Sequence, residues 1–86
     1  MKWSEIRVHY PDQWLLAEAI NARSEAGKRI IEDLAVLESY SDSTTAMNRY
    51  SKVHREMPER ELYVLHTSHE QLDIVERPWF GIRSAR

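Results

Sequence analysis

The fold of this chain depends on the structure of residues 13–40, which run QWLLAEAINARSEAGKRIIEDLAVLESY. The high alanine and glutamate content favours a helix, and partial helical periodicity is shown by Leu16, Ile20, Ile31, Leu34 and Glu38. Strand alternation instead predicts a long antiparallel hairpin, with Trp14, Leu16, Ile20 and Ala22 on one face of its first strand and Ile30, Leu34, Val36 and Tyr40 on one face of its second. Gly27 would supply the positive φ that a longer hairpin loop over residues 24–27 requires.

Residues 61–67, ELYVLHT, favour the hairpin over the helix. The run is short, contains aromatic and β-branched residues and is apolar on both faces, which predicts a strand inside a sheet rather than at its edge. Such a strand needs partners on both sides, and we therefore predict a hairpin over residues 13–40. Ser68 and Gln71 have the spacing of a capping box and predict a short helical turn. A further short strand is predicted around residues 72–75.

A single amphipathic helix is predicted over residues 43–57. One apolar stripe at helical spacing comprises Ala46, Met47, Tyr50, Val53 and Met57. Ser41, Asp42 and Ser43 are each suitable N-caps, and Pro58 disfavours helical geometry at the residue before it. The whole chain is thus expected to form one small α+β domain over residues 1–86, with the helix packed on one face of an antiparallel sheet.

Composition excludes several classes of function. The 86 residues include 12 basic and 14 acidic side chains, a net charge of −2, so no global basic field drives binding to nucleic acid or to anionic membranes. The absence of cysteine excludes disulfides, thiolate nucleophiles and cysteine metal sites. The longest apolar run, residues 14–17, is far shorter than the roughly 20 residues that cross a bilayer. We expect a cytoplasmic protein with no signal peptide.

Three motifs resemble a group of small uncharacterised bacterial proteins that share a domain of unknown function. The motifs are Trp14-Leu-Leu-Ala-Glu, Ser39-Tyr-Ser-Asp-Ser with Ala46 and Tyr50, and Pro58-Glu-Arg-Glu-Leu-Tyr-Val-Leu-His-Thr67. In that group a tryptophan-containing strand opens a hairpin, a short helix follows and another strand completes the sheet. The resemblance spans about residues 10–83, implies a ββαβ order and carries no established chemistry.

The histidines are the candidate metal ligands. His66 and His69 have a spacing that could direct two imidazoles to one zinc or nickel ion, with His54, Glu70 or Asp73 as a third ligand. The alternative is that His66 is a hydrogen-bonded strand residue and His69 is solvated. The sequence contains neither a Gly-x-Ser-x-Gly nucleophile motif nor a glycine-rich phosphate loop. We therefore predict no catalytic residue and no cofactor.

Two further sets of residues are candidates for binding a macromolecule. The interaction candidates are Trp3, Tyr10, Trp79 and Phe80, since tryptophan is enriched at interface anchors, although a small core also uses large side chains. The nucleic-acid candidates are Arg49, Lys52, Arg55 and Arg83, together with Arg77 and Arg86, as in a toxin–antitoxin component. The alternative for the helical set is a solvated helix face.

A sheet with one helix leaves its other face incompletely covered, and self-association would bury that apolar surface. The sequence therefore predicts a non-catalytic interaction or regulatory module that forms a homodimer and binds a protein partner. Nucleic-acid binding is the alternative, and a histidine metal site is a further one.

Overall fold

The computed structural model describes residues 1–75 and has an α+β architecture. Its elements are α1 (Trp3–His9), β1 (Trp14–Glu25), β2 (Lys28–Tyr40), α2 (Ser43–Glu56) and β3 (Leu62–His66). The three strands form an antiparallel sheet in the order β2-β1-β3. The predicted hairpin over residues 13–40 is thereby confirmed, and the helical interpretation of that segment is wrong.

The hairpin turn is tighter than the predicted loop. Glu25 pairs directly with Lys28, so Ala26 and Gly27 alone connect the strands, with φ values of 51° and 78°. Positive φ at both central residues matches the twist of the flanking strands, which is why such two-residue turns are favoured in hairpins.

The pairing of β1 with β2 is interrupted by three register shifts, between Leu16 and Ala17, between Ala19 and Asn21, and between Asn21 and Ala22. An extra residue in one strand reverses the face of every side chain beyond it. Ile20 falls at one of these irregularities and remains 58% exposed. Ile20, which was predicted on the same strand face as Leu16, therefore does not join Leu16 in the core.

The register shift between Leu16 and Ala17 divides the second strand between the two faces. Leu34 and Val36 pack into one core cluster, whereas Leu37 and Tyr40 pack into the other. The predicted single face of Leu34, Val36 and Tyr40 is therefore wrong, because the strand carries an additional residue between positions 36 and 38.

Both faces of the central strand are buried. On one face Leu15 and Ala17 pack with Ile6 of α1 and with Leu34. On the other face Leu16 packs with Val53 of α2 and with Leu62. The expectation of one helix on one face is corrected by α1, whose seven residues are too few to show a helical period in the sequence.

Helix α2 has nearly the predicted bounds. Asp42 is its N-cap and accepts a hydrogen bond of 2.8 Å from the Thr45 N–H. The helix ends at Glu56, with Met57 as its C-cap directly before Pro58. Ala46 and Val53 are buried against the sheet, while Met47 remains largely exposed.

The segment after α2 differs from the prediction in three respects. Within residues 1–75, β3 pairs with β1 alone, so it lies at an edge and not inside the sheet. Residues 67–68 form a turn instead of opening a helix. The predicted further strand is reduced to one bridge, between Lys28 and Val75. Trp79, Phe80, Arg77, Arg83 and Arg86 lie outside the described residues.

Candidate functional site

The outer edge of β3 carries backbone groups that have no partner among residues 1–75, with one exception: the His66 carbonyl accepts a hydrogen bond of 3.3 Å from the His69 N–H. The Ala19 N–H donates to the Glu61 carbonyl at 2.9 Å, and the Thr67 N–H donates to the Gln13 carbonyl at 3.0 Å. In an antiparallel pair every second residue exchanges backbone hydrogen bonds with the neighbouring strand. The backbone N–H and C=O groups of Tyr63 and Leu65, which lie between Glu61 and Thr67, therefore also point towards β1. The N–H and C=O groups of the even-numbered residues, Leu62, Val64 and His66, therefore point away from the sheet.

The β3 edge lacks the features that usually protect a sheet edge. In natural proteins, lysine, proline, inward-pointing charges or β-bulges at an edge strand prevent it from pairing with another chain. Residues 62–66, LYVLH, include no lysine, proline or acidic side chain, and their pairing with β1 contains no register shift. The edge is therefore regular, apolar and suited to pairing with another strand.

The outer edge of β2 differs because parts of it are already occupied. The Leu34 N–H donates to the carbonyl of Met1 at 2.8 Å. Further along the strand, the Arg29 N–H donates to the carbonyl of Ile74 at 2.9 Å. Of the two sheet edges in the described part of the chain, β3 is thus the more open.

A groove of about 400 Å³ runs beside the β3 edge. Val64, Leu65 and His66 form one side, and Leu72 and Ile74 form part of the other. Leu65 and Leu72 also pack against the core cluster of α1. The groove is therefore an apolar extension of the core that reaches the surface next to the open edge.

His66 lies in this groove with its Nδ1 atom occupied. Nδ1 accepts a hydrogen bond of 3.1 Å from the Ser68 N–H and lies 2.8 Å from Ser68 Oγ. The ring meets Trp14 edge-on at a centroid distance of 4.9 Å. Its Nε2 atom is 3.7 Å from an Asp12 carboxylate oxygen. This arrangement holds the imidazole at the end of β3 and leaves Nε2 as its accessible nitrogen.

The predicted metal ligands are not assembled into one site. His69 lines the same groove as His66, but His54 lies on α2, where it stacks on Tyr50 at a centroid distance of 5.5 Å. Among residues 1–75, no three histidine, aspartate or glutamate side chains are grouped so that they could hold a metal ion.

Trp3 and Tyr10, predicted as interface anchors, both pack on the core cluster that contains Ile6. The Trp3 indole N–H donates to the carbonyl of His69 at 2.9 Å. These contacts tie α1 to the sheet and to the segment after β3. Trp79 and Phe80 belong to the part of the chain that is not described.

The basic residues of α2 are divided between pairing and exposure. Arg49 Nε donates to Glu38 at 3.0 Å, and the same carboxylate accepts a hydrogen bond of 2.6 Å from Tyr40. That bond, together with the charge of Arg49, lowers the pKa of Glu38. Lys52 and Arg55 are exposed and form no ion pair with the described residues. Arg83 lies outside that range.

The structure also reveals a polar network that sequence reasoning missed. Arg29 of β2 binds both carboxylate oxygens of Glu61 at 2.8 and 2.7 Å, and Tyr63 O–H donates to Glu61 at 2.5 Å. The bond from Arg29 lowers the pKa of Glu61, while burial and the adjacent carboxylate raise the pKa of Tyr63 to about 12. The network connects the outer strands across β1, where Ala17 faces Tyr63.

Comparison with known protein families, with curated proteins and with solved structures found no match. No helix within residues 1–75 combines the length and the apolar character needed to cross a membrane.

Proposed function

We propose that this chain is a non-catalytic interaction or regulatory module of the bacterial cytoplasm that self-associates as a homodimer. The observation that carries the proposal is the open edge of β3, whose outward backbone groups belong to Leu62, Val64 and His66. Strand addition at such an edge combines main-chain hydrogen bonds with side-chain contacts on both faces. An edge of this kind is a binding surface that needs no catalytic group.

The charge arrangement favours a protein partner over a nucleic acid. Most arginines of residues 1–75 already have partners in the chain. Arg7 donates to the Thr67 carbonyl. The other four form ion pairs: Arg23 with Glu32, Arg29 with Glu61, Arg49 with Glu38 and Arg60 with Glu18. Nucleic-acid affinity comes largely from basic groups that release counterions. Lys52 and Arg55 remain available for that role, within a chain of net charge −2.

The test is sedimentation equilibrium between about 1 and about 300 µM protein, repeated at about 0.05 and about 0.5 M NaCl. We expect the mass to rise from the 10.2 kDa of one chain towards twice that value. The rise should persist at high salt, because main-chain and apolar contacts are weakly screened. A monomer at every concentration would contradict the proposal.

A parallel titration with fluorescein-labelled RNA and duplex DNA tests the alternative. Binding that weakens steeply with added salt, and that Lys52→Ala and Arg55→Ala reduce, would favour a nucleic-acid function. Glu56→Ala, which removes an exposed acidic group from the same helix, is the control that should not weaken such binding.

A further inference from the structure

We infer that two copies of this chain associate by pairing their β3 strands antiparallel, with Val64 of one copy opposite Val64 of the other. The inference rests on the proposed self-association and specifies its interface. The result would be a continuous six-stranded sheet, because each β3 is the outer strand of the order β2-β1-β3 within the described residues. A two-fold axis perpendicular to the sheet would make the contact self-complementary and closed.

The direction of the backbone groups selects the register. Only backbone groups that point outward can form hydrogen bonds across the new pair. Leu62 and Val64 offer both their N–H and their C=O, and His66 offers its N–H, because its carbonyl already accepts from the His69 N–H at 3.3 Å. An axis at Val64 places Leu62 of each copy opposite His66 of the other. This register lets the His66 N–H of each copy donate to the Leu62 carbonyl of the other and extends the pairing along all five residues of β3, whereas an axis at either end of the strand pairs only part of it.

The charge distribution along the strand supports a second copy as the occupant, because self-pairing brings no like charges together. In this register Glu61 of one copy lies opposite Thr67 of the other, so the two carboxylates do not face each other. Like charges directly opposite each other destabilise a strand pair, and Glu61 is in addition neutralised by Arg29 within its own chain. No formal acidic or basic side chain of residues 62–65 lies at the contact.

The groove beside β3 adds side-chain contact. Tyr63 of one copy stands opposite Leu65 of the other, and Leu65 lines the groove. Tyr63 and Leu65 lie on the face that packs against α1, since their partners in β1 are Ala17 and Leu15. The tyrosine ring of each copy can therefore cover the apolar wall of the groove in the other copy.

The expected affinity is modest. A contact through one five-residue strand per copy and a shallow groove is smaller than the roughly 1,600 Å² of a standard interface. We expect a dissociation constant on the order of 10 µM, within the range of the sedimentation experiment.

Disulfide trapping tests the register directly, because the chain contains no cysteine. Val64→Cys introduces one thiol in each copy. In the proposed register the Cα atoms at position 64 of the two copies would lie about 5.5 Å apart, within the range of about 4.4–6.8 Å between the Cα atoms of disulfide-bonded residues. We expect Val64→Cys to form a covalent dimer in a glutathione redox buffer. His66→Cys is the matched control on the same edge. The Cα atoms at position 66 of the two copies would lie about 14 Å apart, so this variant should remain mostly monomeric under the same conditions.

Val64→Pro provides a second variant. Proline removes an N–H that β1 does not use, and edge strands tolerate proline at such outward positions. We expect association to weaken at least about tenfold while the circular dichroism spectrum of the monomer is retained. If this variant does not fold, the comparison of Val64→Cys with His66→Cys decides the question.

The outcomes separate this inference from the proposed function. If the wild-type protein dimerises but Val64→Cys is not trapped and Val64→Pro still dimerises, the β3 interface is refuted and self-association stands. If the wild-type protein is monomeric at all concentrations, both fail. Hydrogen exchange adds one further outcome: strong protection of the Leu62 and Val64 amides in dilute monomer would mean that residues 76–86 of the same chain cover the edge, and would overturn the inference.

Discussion

Replacing either of two consecutive leucines should destabilise the protein to a similar extent, because the residues belong to different cores. Leu15 and Leu16 are 0% and 1% exposed. Leu15 packs towards Ile6 of α1, and Leu16 packs towards Val53 of α2. A sheet covered on one face only would bury one of two adjacent strand residues and expose the other.

The magnitude follows from complete burial at both positions. Truncating a buried leucine to alanine costs about 2–5 kcal/mol, according to how far the site can relax. We expect about 3 kcal/mol for each of Leu15→Ala and Leu16→Ala. A domain of this size has a total stability of about 4–13 kcal/mol, and each kcal/mol corresponds to about 4–8 °C in Tm. Each variant should therefore melt about 12–24 °C below the wild type.

The control is Ile20→Ala in the same strand. Ile20 is 58% exposed, so its truncation should change the free energy of unfolding by no more than about 0.5 kcal/mol. Urea unfolding followed by circular dichroism measures all three variants, at about 1 µM protein so that association adds little to the apparent stability. A near-neutral effect of Leu15→Ala or of Leu16→Ala would refute the two-core packing, and a loss at Ile20 equal to that at either leucine would contradict the exposed position of Ile20.

Four further predictions concern local features. Asp42→Ala should cost about 1 kcal/mol in urea unfolding, because the Thr45 N–H loses its capping acceptor; an unchanged midpoint would contradict the cap. Gly27→Ala should cost about 1 kcal/mol in the same assay, because φ is +78° although no atom lies within 4 Å of the added carbon; a stabilised variant would refute this. The Glu61–Arg29 pair should contribute full stability above pH 4.5, the ordinary glutamate pKa, and lose that contribution as pH falls from there through the lowered pKa of Glu61 in the folded protein; Glu61→Gln should lack that component in unfolding curves measured between about pH 3 and about pH 7. The neutral Tyr63 phenol should contribute stability fully below pH 10 and progressively less as pH rises towards its pKa of about 12. Tyr63→Phe should remove that component and retain the one from Tyr40, whose pKa is also raised to about 12.

The sequence was most informative where a pattern is local and long. The stripe from Ala46 to Met57, the three candidate caps at residues 41–43 and the position of Pro58 predicted α2 almost to the residue, because helical period, cap and stop signal agree there; the structure selects Asp42 among the caps. The short helix α1 offered no comparable signal, and its role depends on one residue, Ile6, that becomes fully buried through contacts with distant strands. The open edge was predicted wrongly, because a run that is apolar on both faces indicates that both faces are covered, as they are for β3, and does not indicate whether both edges are paired.

The sequence by itself determined the helix α2, since helical period and capping act over a few residues. It favoured the hairpin over residues 13–40 without deciding it, because the alanine and glutamate content there favours a helix, and the pairing of β1 with β2 and β3 decided between the two. The tertiary structure decided which strand is central, because β1 alone has strands on both sides within the described residues. It also decided which side chains are buried, because register shifts within the hairpin reassign faces in a way that periodicity does not reveal. Ala17 and Ala19 are weak strand formers in isolation. They nevertheless lie in the central strand, because pairing places them beside Tyr63 and Glu61, where the polar network crosses β1.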